Sequence, residues 1–277
     1  MPQDSSPRPE ILSSRTTAFD AATRGRVRFA DFDARGYRTV TVRTGYREWV
    51  ASYEQTVEDA MDTALLEALS EVPWPTTRRA ADLGCGTGRT GAWLRGKGVT
   101  SIDGVDLTPE MIAVARSRGI YQRLFEADVA ATGLESEAYD LVTACLVDEH
   151  LPDVQPLYRE AWRLTYSGGF LVLVGYHPHF IMGAGMPTHY TSGSGEPVAI
   201  ETYVHLLSEH ITAGLQAGWV LVEMKEQVID DSWLVLKPKW ERFRHHPISV
   251  AFTWRKPNGQ DDGRRLAQPS LRLGRLW

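Results

Sequence analysis

Short apolar runs alternate with helical segments through the middle of the chain. The runs that have the length and composition of strands are residues 79–83, 101–107, 121–128, 139–147 and 168–176. Segments with helical spacing lie between or after them, at about 108–119, 156–165 and 202–217. This alternation is typical of βαβ units and predicts an α/β fold with a parallel sheet. Two further runs, 219–228 and 248–256, have no helix of comparable length between them, so we expect this last pair to be antiparallel.

Capping and turn residues indicate where individual elements begin and end. Thr108 has the residue type of an N-cap, and Gly119 directly follows the helix that it would start. Nearer the N-terminus, apolar residues recur at every fourth position from 57 to 69, which predicts one amphipathic helix. Prolines at 73 and 75 end this helix. The alternating stretch RTVTVR, residues 38–43, predicts a short strand.

The pattern divides the chain into three parts. Residues 1–44 form an N-terminal extension rich in Pro, Ser and Arg, whose order must come from docking on the core. Residues 45–257 form the α/β domain, and residues 258–277 form a tail that we expect to be disordered. Within the domain, residues 175–200 are expected to be an insertion.

Composition narrows the classes of partner and compartment. The chain has 277 residues, a formal net charge of -5 and a pI near 5.9, which argues against a nucleic-acid partner. Two cysteines, Cys85 and Cys145, are too few for a disulfide framework, so we expect a reducing, cytoplasmic compartment. We recognise no export signal and expect no membrane partner. The oligomeric state is left open.

The stretch ADLGCGTGRTG, residues 81–91, contains two overlapping glycine patterns. Gly86, Gly88 and Gly91 match the G-x-G-x-x-G of dinucleotide-binding folds, in which a helix N-terminus holds a pyrophosphate. The other pattern starts with a carboxylate, Asp82. A negative charge at this position would repel a phosphate but attract an ammonium or sulfonium group.

Two more carboxylates follow the next predicted strands. Asp106 lies where a ribose-binding carboxylate belongs, a feature that fits either ligand. Asp128 follows the third strand, where its partner would be an adenine amino group. Because the carboxyl ends of parallel strands meet at one edge of a sheet, Asp82, Asp106 and Asp128 form an acidic crevice. A cationic amino-acid nucleoside fits this crevice better than a dianionic dinucleotide.

The segments DLGCGTG, GVDLTPEMI and EADVA resemble the class I S-adenosylmethionine-dependent methyltransferases of the small-molecule type, in a match from about Gly45 to Lys256. The resemblance implies a Rossmann-like three-layer sandwich with a seven-stranded, mostly parallel sheet whose last strand is antiparallel. It also implies S-adenosyl-L-methionine as cofactor and S-adenosyl-L-homocysteine as product. Asp82 would lie near the cofactor's amino group, Asp106 on the ribose hydroxyls and Asp128 near the adenine amine.

The same resemblance implies further cofactor contacts. In the glycine loop these contacts are Gly84, Cys85, Gly86 and Gly88, and on the two sides of the adenine ring they are Leu107 and Val129. Cys145 would lie near the methionine part, and Tyr46, Trp49 and Tyr53 would lie on a helix that covers the cofactor. The last three share one helical face, and packing of that helix on the sheet would bury them without any ligand.

Methyl transfer from a sulfonium is an in-line displacement, so positioning of the nucleophile supplies much of the acceleration. A hydroxyl acceptor that keeps its proton needs a base, and the candidates are His150, His177 and His179. Each is equally explained as an ordinary loop histidine, and an amine or an acidic heterocycle needs no base. We predict no metal site; magnesium-assisted catechol chemistry through Asp148 or Asp153 is a less favoured alternative.

The insertion at 175–200 is expected to close over the acceptor. It combines apolar and aromatic residues with Gly-Ser stretches, which suits a lid over a largely apolar small molecule. The expected acceptor contacts in it are Phe180, Met182, Met186 and Tyr190. Asp148 is a further candidate, because acceptor and cofactor meet at the end of the fourth strand in this family. The alternative is a surface loop with no ligand.

These observations lead to one function and two alternatives. We expect transfer of a methyl group to an O or N atom, less readily a C atom, of a small molecule in the biosynthesis of a specialised metabolite. An RNA or protein methyltransferase is the second enzymatic interpretation. A protein that holds the cofactor without catalysis, or that regulates a partner, is the third.

Overall fold

A computed structural model describes residues 27–57 and 61–258 of the chain. Most of the predicted N-terminal extension, residues 1–26, lies outside the described residues. The predicted tail, apart from Asn258, lies outside them as well. In the described ranges no helix has both the length and the apolar character needed to cross a membrane.

Strands and helices alternate along the described part of the chain. The strands are β1 (Arg38–Val40), β2 (Arg79–Leu83), β3 (Ser101–Asp106), β4 (Arg123–Glu126), β5 (Tyr139–Cys145), β6 (Thr165–Tyr176), β7 (His189–Thr191), β8 (Pro197–Ile200), β9 (Val220–Val228) and β10 (Pro247–Arg255). The α-helices are α1 (Val42–Trp49), α2 (Tyr53–Thr56), α3 (Thr63–Ala68), α4 (Arg89–Gly96), α5 (Pro109–Ser117), α6 (Gln155–Leu164), α7 (Pro178–Ala184), α8 (Leu207–Ala217) and α9 (Asp231–Leu236).

Seven of the strands form the central sheet, in the order β4-β3-β2-β5-β6-β10-β9. The pairs from β4 to β6 are parallel, whereas β10 is antiparallel to both β6 and β9. The predicted fold class is therefore confirmed, including the antiparallel last strand. In this topology the carboxyl ends of β2, β3, β4 and β5 lie along one edge of the sheet, where ligands bind in open α/β folds.

The central strands are apolar on both faces because helices cover both faces of the sheet. Along β2, Ala81 and Leu83 belong to an apolar cluster that includes α6 and α8, whereas Ala80 belongs to another that includes α3 and α4. This alternation of two buried faces produces the predicted three-layer sandwich.

A second, three-stranded sheet has the order β1-β8-β7. It joins the N-terminal region to the predicted insertion, since β1 pairs in parallel with β8 and β7 pairs in antiparallel with β8. The insertion is thus built from α7 and a β-hairpin. The side chains of Trp49, Tyr190, Val198 and Ile200 form the apolar core between this sheet and α1.

Two N-terminal elements differ from their predictions. The strand predicted over 38–43 ends at Val40, because Thr41 caps α1 by accepting a hydrogen bond from the Thr44 N–H. The single helix predicted from 57 to 69 is also wrong in its start: Val57 is extended, and α3 begins only at Thr63. The apolar residues that recur at every fourth position from 61 onward are nevertheless buried, so their spacing correctly predicted burial.

Candidate functional site

The glycine loop connects β2 to α4 at the carboxyl edge of the sheet. Gly84, Gly86 and Gly88 all have positive φ angles, 71°, 52° and 93°. At Gly86 a side chain would project into open space, with nothing within 4 Å of its Cβ. A ligand can therefore approach the loop backbone at Gly86 directly.

Tyr121 lies against the glycine loop and explains the third glycine of the dinucleotide pattern. A Cβ at Gly91 would overlap the Tyr121 ring, and one at Gly104 would lie 2.9 Å from it. Gly91 is thus required for the packing of a tyrosine. Tyr121 was not predicted as a site residue, because nothing in its local pattern indicates that its ring, next to β4, extends to β2.

Asp82 is buried beneath the loop, with 1% of its surface exposed. Its two carboxylate oxygens accept hydrogen bonds from the hydroxyls of Tyr121, at 2.6 Å, and Thr143, at 2.9 Å. Burial raises the pKa of Asp82 to about 6, against the opposing effect of these two hydroxyls. Above that pH the Asp82 carboxyl is therefore ionised directly behind the loop, and burial makes this charge unfavourable.

Asp106 ties the glycine loop to the end of β3. One carboxylate oxygen accepts from the Gly86 N–H and the other from the Thr108 N–H, each at 2.8 Å. Burial raises the pKa of Asp106, and these hydrogen bonds oppose the rise. Because each carboxylate oxygen can accept a second hydrogen bond, Asp106 can still receive ligand hydroxyls.

The remaining predicted contacts of the nucleoside part lie beside this carboxylate or beyond the next strand. Leu107 is half-buried directly after β3. Asp128 is exposed and accepts a hydrogen bond from the Ala130 N–H at 2.8 Å, while Val129 is buried. The three carboxylates Asp82, Asp106 and Asp128 thus follow three adjacent strands. This acidic edge, with the open backbone at Gly86, fits a ligand that has ribose hydroxyls and a positive charge.

The N-terminal helices are tied across the glycine loop by ion pairs. Glu54, in α2, accepts hydrogen bonds from the hydroxyl of Thr87 and from the guanidinium of Arg118, the latter at 2.6 Å. Arg43 of α1 pairs with Glu126 at the end of β4 at 2.7 Å. These pairs hold α1 and α2 over the carboxyl edge of the sheet.

The three aromatic residues predicted on one covering helix form one cluster, but they lie on two helices, because α1 ends at Trp49 and Tyr53 begins α2. The Trp49 ring lies 5.9 Å from that of Tyr46 and 5.0 Å from that of Tyr53, measured between ring centroids.

Nearer the sheet, Cys85 and Cys145 are buried, and burial raises the pKa of both thiols well above its ordinary value. Both therefore act as small apolar groups.

The three histidines proposed as bases are each engaged elsewhere. His150 Nδ1 lies 2.7 Å from the Glu201 carbonyl, so Nδ1 donates and Nε2 accepts from the Tyr46 hydroxyl at 2.8 Å. Burial lowers the pKa of His150, which keeps the ring neutral. His177 caps α7 through Nδ1 and contacts Glu226 through Nε2 at 2.9 Å. His179 is exposed and lies 3.3 Å from His246.

A cavity of about 480 Å³ lies between the insertion, the N-terminal helices and the segment around α9. Three of the four acceptor contacts expected in the insertion, Phe180, Met186 and Tyr190, line this cavity, whereas Met182 does not. Its walls combine polar side chains with six aromatic rings, those of Trp49, Tyr176, Phe180, Tyr190, Trp233 and Trp240. The volume is that of a pocket for a small molecule.

Asp148, the other expected acceptor contact, does not line this cavity. It is buried, and one of its oxygens lies 3.4 Å from His210 Nε2. The next residue, Glu149, lines the cavity instead, although only Asp148 of the two was predicted as an acceptor contact. The 3-10 turn Asp148–His150 directs three consecutive polar side chains to different surroundings, which residue types alone do not reveal.

His189 also lines the cavity and was not predicted. Its Nδ1 lies 2.9 Å from the Pro187 carbonyl, so this nitrogen donates and Nε2 carries the lone pair. Across residues 27–57 and 61–258, no group of three or more His, Cys, Asp or Glu side chains has the arrangement of a metal site.

The part of the chain that contains the glycine loop is similar to known proteins. Residues 81–173 match a family model described as a methyltransferase domain. The chain is 29% identical to a trans-aconitate 2-methyltransferase of Variovorax paradoxus over 127 residues, which are 46% of this chain and 49% of that protein. It is 33% identical to the enzyme of the same name from Escherichia coli over 152 residues, 52% of this chain and 60% of that protein. The chain spans about half the length of the curated relatives it matches.

The fold is shared with a solved structure. A crystal structure of an S-adenosylmethionine-dependent methyltransferase from Mesorhizobium loti superposes with a TM-score of 0.56, covering 71% of this chain and 97% of that chain. The sequence identity is 23%, so this likeness concerns the fold.

Proposed function

We propose that this chain, a class I S-adenosylmethionine-dependent methyltransferase, methylates an oxygen or nitrogen atom of a small, largely apolar acceptor. The observation that carries the proposal is the position of an aromatic-walled cavity of about 480 Å³ beside the end of β5, next to the glycine-loop edge. Glu149 and Leu146, which follow β5 directly, line this cavity. An acceptor there would lie next to a cofactor held by β2 and β3.

Different residues at the carboxyl edge of the sheet would contact different parts of the cofactor. Asp106 would accept hydrogen bonds from ribose hydroxyls, and the Gly86 backbone would contact the ligand without an intervening side chain. The charge of Asp82 behind the loop would favour a cationic methionine part over a phosphate. When bound, the cofactor supplies an electrophilic methyl group on a sulfonium. The protein supplies position, because α1 and α2 cover the crevice and exclude water.

A hydroxyl acceptor would need a proton acceptor in the cavity. His189 is better placed for this than the three predicted histidines, because its Nε2 lone pair belongs to a residue that lines the cavity. His150 would act there only through Tyr46, whose hydroxyl occupies its Nε2. We therefore assign the base, if the acceptor is a hydroxyl, to His189.

The acceptor is a metabolite rather than a macromolecule in this proposal. The volume and apolar walls of the cavity suit a small molecule, and the net charge of -5 disfavours nucleic acid. The names of the two relatives are those of enzymes acting on a small organic acid. We propose a role in the biosynthesis of a specialised metabolite in the cytoplasm, where buried thiols such as Cys85 and Cys145 stay reduced.

The experiment is to incubate the full chain with a metabolite extract and S-adenosylmethionine carrying a trideuterated methyl group. We expect S-adenosylhomocysteine to accumulate and one small molecule to gain the labelled methyl group in mass spectra. Heat-denatured protein is the control. If the protein binds S-adenosylhomocysteine but no extract supports turnover, the catalytic proposal fails and a non-catalytic role takes its place.

A further inference from the structure

Glu149 is the most deeply buried ionisable side chain that lines the acceptor cavity. It has 2% of its surface exposed, and its Oε2 atom has no hydrogen-bond partner among the described residues. His150 Nε2 is 3.8 Å from the other carboxyl oxygen and already accepts from Tyr46. The polar neighbours of the carboxyl group are Thr188 and Asp148. A buried polar atom without a partner is costly, and a ligand that supplies the partner recovers this cost.

The immediate neighbour of Glu149 is another acidic side chain, Asp148. Burial raises the pKa of the Glu149 carboxyl well above its ordinary value, and the neighbouring Asp148 carboxylate raises it further. Two lysines, Lys237 and Lys239, line the same cavity, but neither is among the main influences on Glu149. Burial raises the pKa of the Tyr46, Tyr53 and Tyr176 hydroxyls, and the charge of Glu149 raises the pKa of each further. A cation placed at Glu149 would favour the ionised form of its carboxyl group.

The walls of the cavity favour the same kind of ligand. Six aromatic rings line the space into which Glu149 faces. The face of an aromatic ring attracts a cation, and more strongly where both groups are desolvated. An aromatic enclosure around one carboxylate is therefore suited to an ammonium group carried on an apolar body.

We propose that the acceptor is an amine, that its ammonium group binds to the Glu149 carboxylate within the cavity, and that one N–H proton passes to Oε2. The nitrogen lone pair freed by this transfer would accept the methyl group. The inference rests on the proposed function and narrows its acceptor from an oxygen or nitrogen nucleophile to an amine. Glu149 becomes the residue that determines specificity, by accepting the hydrogen bonds of the ammonium group at Oε2.

The test compares three probes that share a skeleton but differ in charge: 2-phenylethylamine, 2-phenylethanol and phenylacetate. Their dissociation constants are measured by nuclear magnetic resonance titration on the full chain. Wild type should bind the amine at least about tenfold more tightly than the alcohol, and phenylacetate most weakly. Glu149→Gln keeps the shape of the side chain, and in it the amine and alcohol should bind within about twofold of each other. Glu135→Gln removes the same charge from an exposed ion pair with Arg79 and should keep the wild-type preference.

Calorimetric titration of each variant with S-adenosylhomocysteine reports separately on the cofactor site. If S-adenosylhomocysteine binds while wild type fails to prefer the amine, or while Glu149→Gln keeps the preference, the amine inference is wrong and the proposed function stands. If Glu149→Gln does not fold, the ranking of the three probes on wild type decides. Absence of S-adenosylhomocysteine binding to wild type would instead contradict the proposed function.

Discussion

Replacing Asp82 with asparagine should stabilise the protein at neutral and alkaline pH, and the gain should disappear in acid. Asp82 is buried, and its pKa is raised from an ordinary value of 3.8 to about 6. Between these values the folded protein binds more protons than the unfolded chain. The free energy of unfolding therefore falls as the pH rises through this range, and stays lowered above it.

The size of the effect follows from the rise in pKa. One pKa unit corresponds to about 1.4 kcal/mol, so a rise from 3.8 to about 6 corresponds to about 3 kcal/mol. Asparagine does not titrate, so the stability of Asp82→Asn minus that of wild type should grow by about 3 kcal/mol between about pH 3 and pH 8. Any constant effect of the amide on the hydrogen bonds to Tyr121 and Thr143 cancels in this comparison.

The assay is urea unfolding followed by tryptophan fluorescence at several pH values. The matched control is Asp103→Asn, one strand away. Burial opposes ionisation of Asp103 too, but hydrogen bonds from Arg123 and Tyr139 outweigh it and lower its pKa. The Asp103 carboxylate therefore stabilises the fold above its ordinary pKa, and this stabilisation is lost as the pH falls through the pKa of the folded state. Asp103→Asn should accordingly destabilise the protein at about pH 8.

A stability difference for Asp82→Asn that does not change with pH would refute this reasoning. So would a pH dependence of the same sign as that of Asp103→Asn. A charge that is retained although it destabilises the fold is typical of a functional site. Asp82→Asn should accordingly weaken binding of S-adenosylhomocysteine while it raises stability.

Gly91→Ala should destabilise the protein by about 1–3 kcal/mol, because the new methyl group would overlap the Tyr121 ring. Gly96→Ala, at the end of the same helix and with nothing near its Cβ, should be neutral or stabilising; equal melting temperatures of the two variants would contradict the packing account. Backbone amides of residues 183–195 should exchange more slowly once the methylated product of the turnover experiment is bound. Unchanged exchange would contradict a role for the insertion as a lid.

The central sheet was predictable because its signal is local. The run RAADL became β2 with the same bounds, and all but the last residue of the predicted strand 101–107 became β3. The order of the strands in the sheet was not predicted, because it depends on contacts between residues distant in sequence. The start of α3 was not predictable, because an apolar period of four continues across Val57, where the backbone is extended.

The second sheet depends on contacts that are distant in sequence. Arg38 of β1 pairs with Val198 of β8, and no local pattern connects the N-terminal region with the insertion. The same limit applies to the site. The roles of His150 and His177 depend on which ring nitrogen faces a carbonyl, an amide or a carboxylate, and this follows from tertiary structure alone.

The measurement that tests the cofactor assignment most directly is calorimetric titration of wild type and Asp106→Ala with S-adenosylhomocysteine and with NADH. We expect wild type to bind S-adenosylhomocysteine and not NADH, because Asp82 disfavours a pyrophosphate in this crevice. Loss of the charge-assisted hydrogen bonds of Asp106 should weaken S-adenosylhomocysteine binding by at least about tenfold, with melting temperature as the check on folding. Tight binding of NADH, or an Asp106→Ala protein that binds S-adenosylhomocysteine as tightly as wild type, would contradict the account.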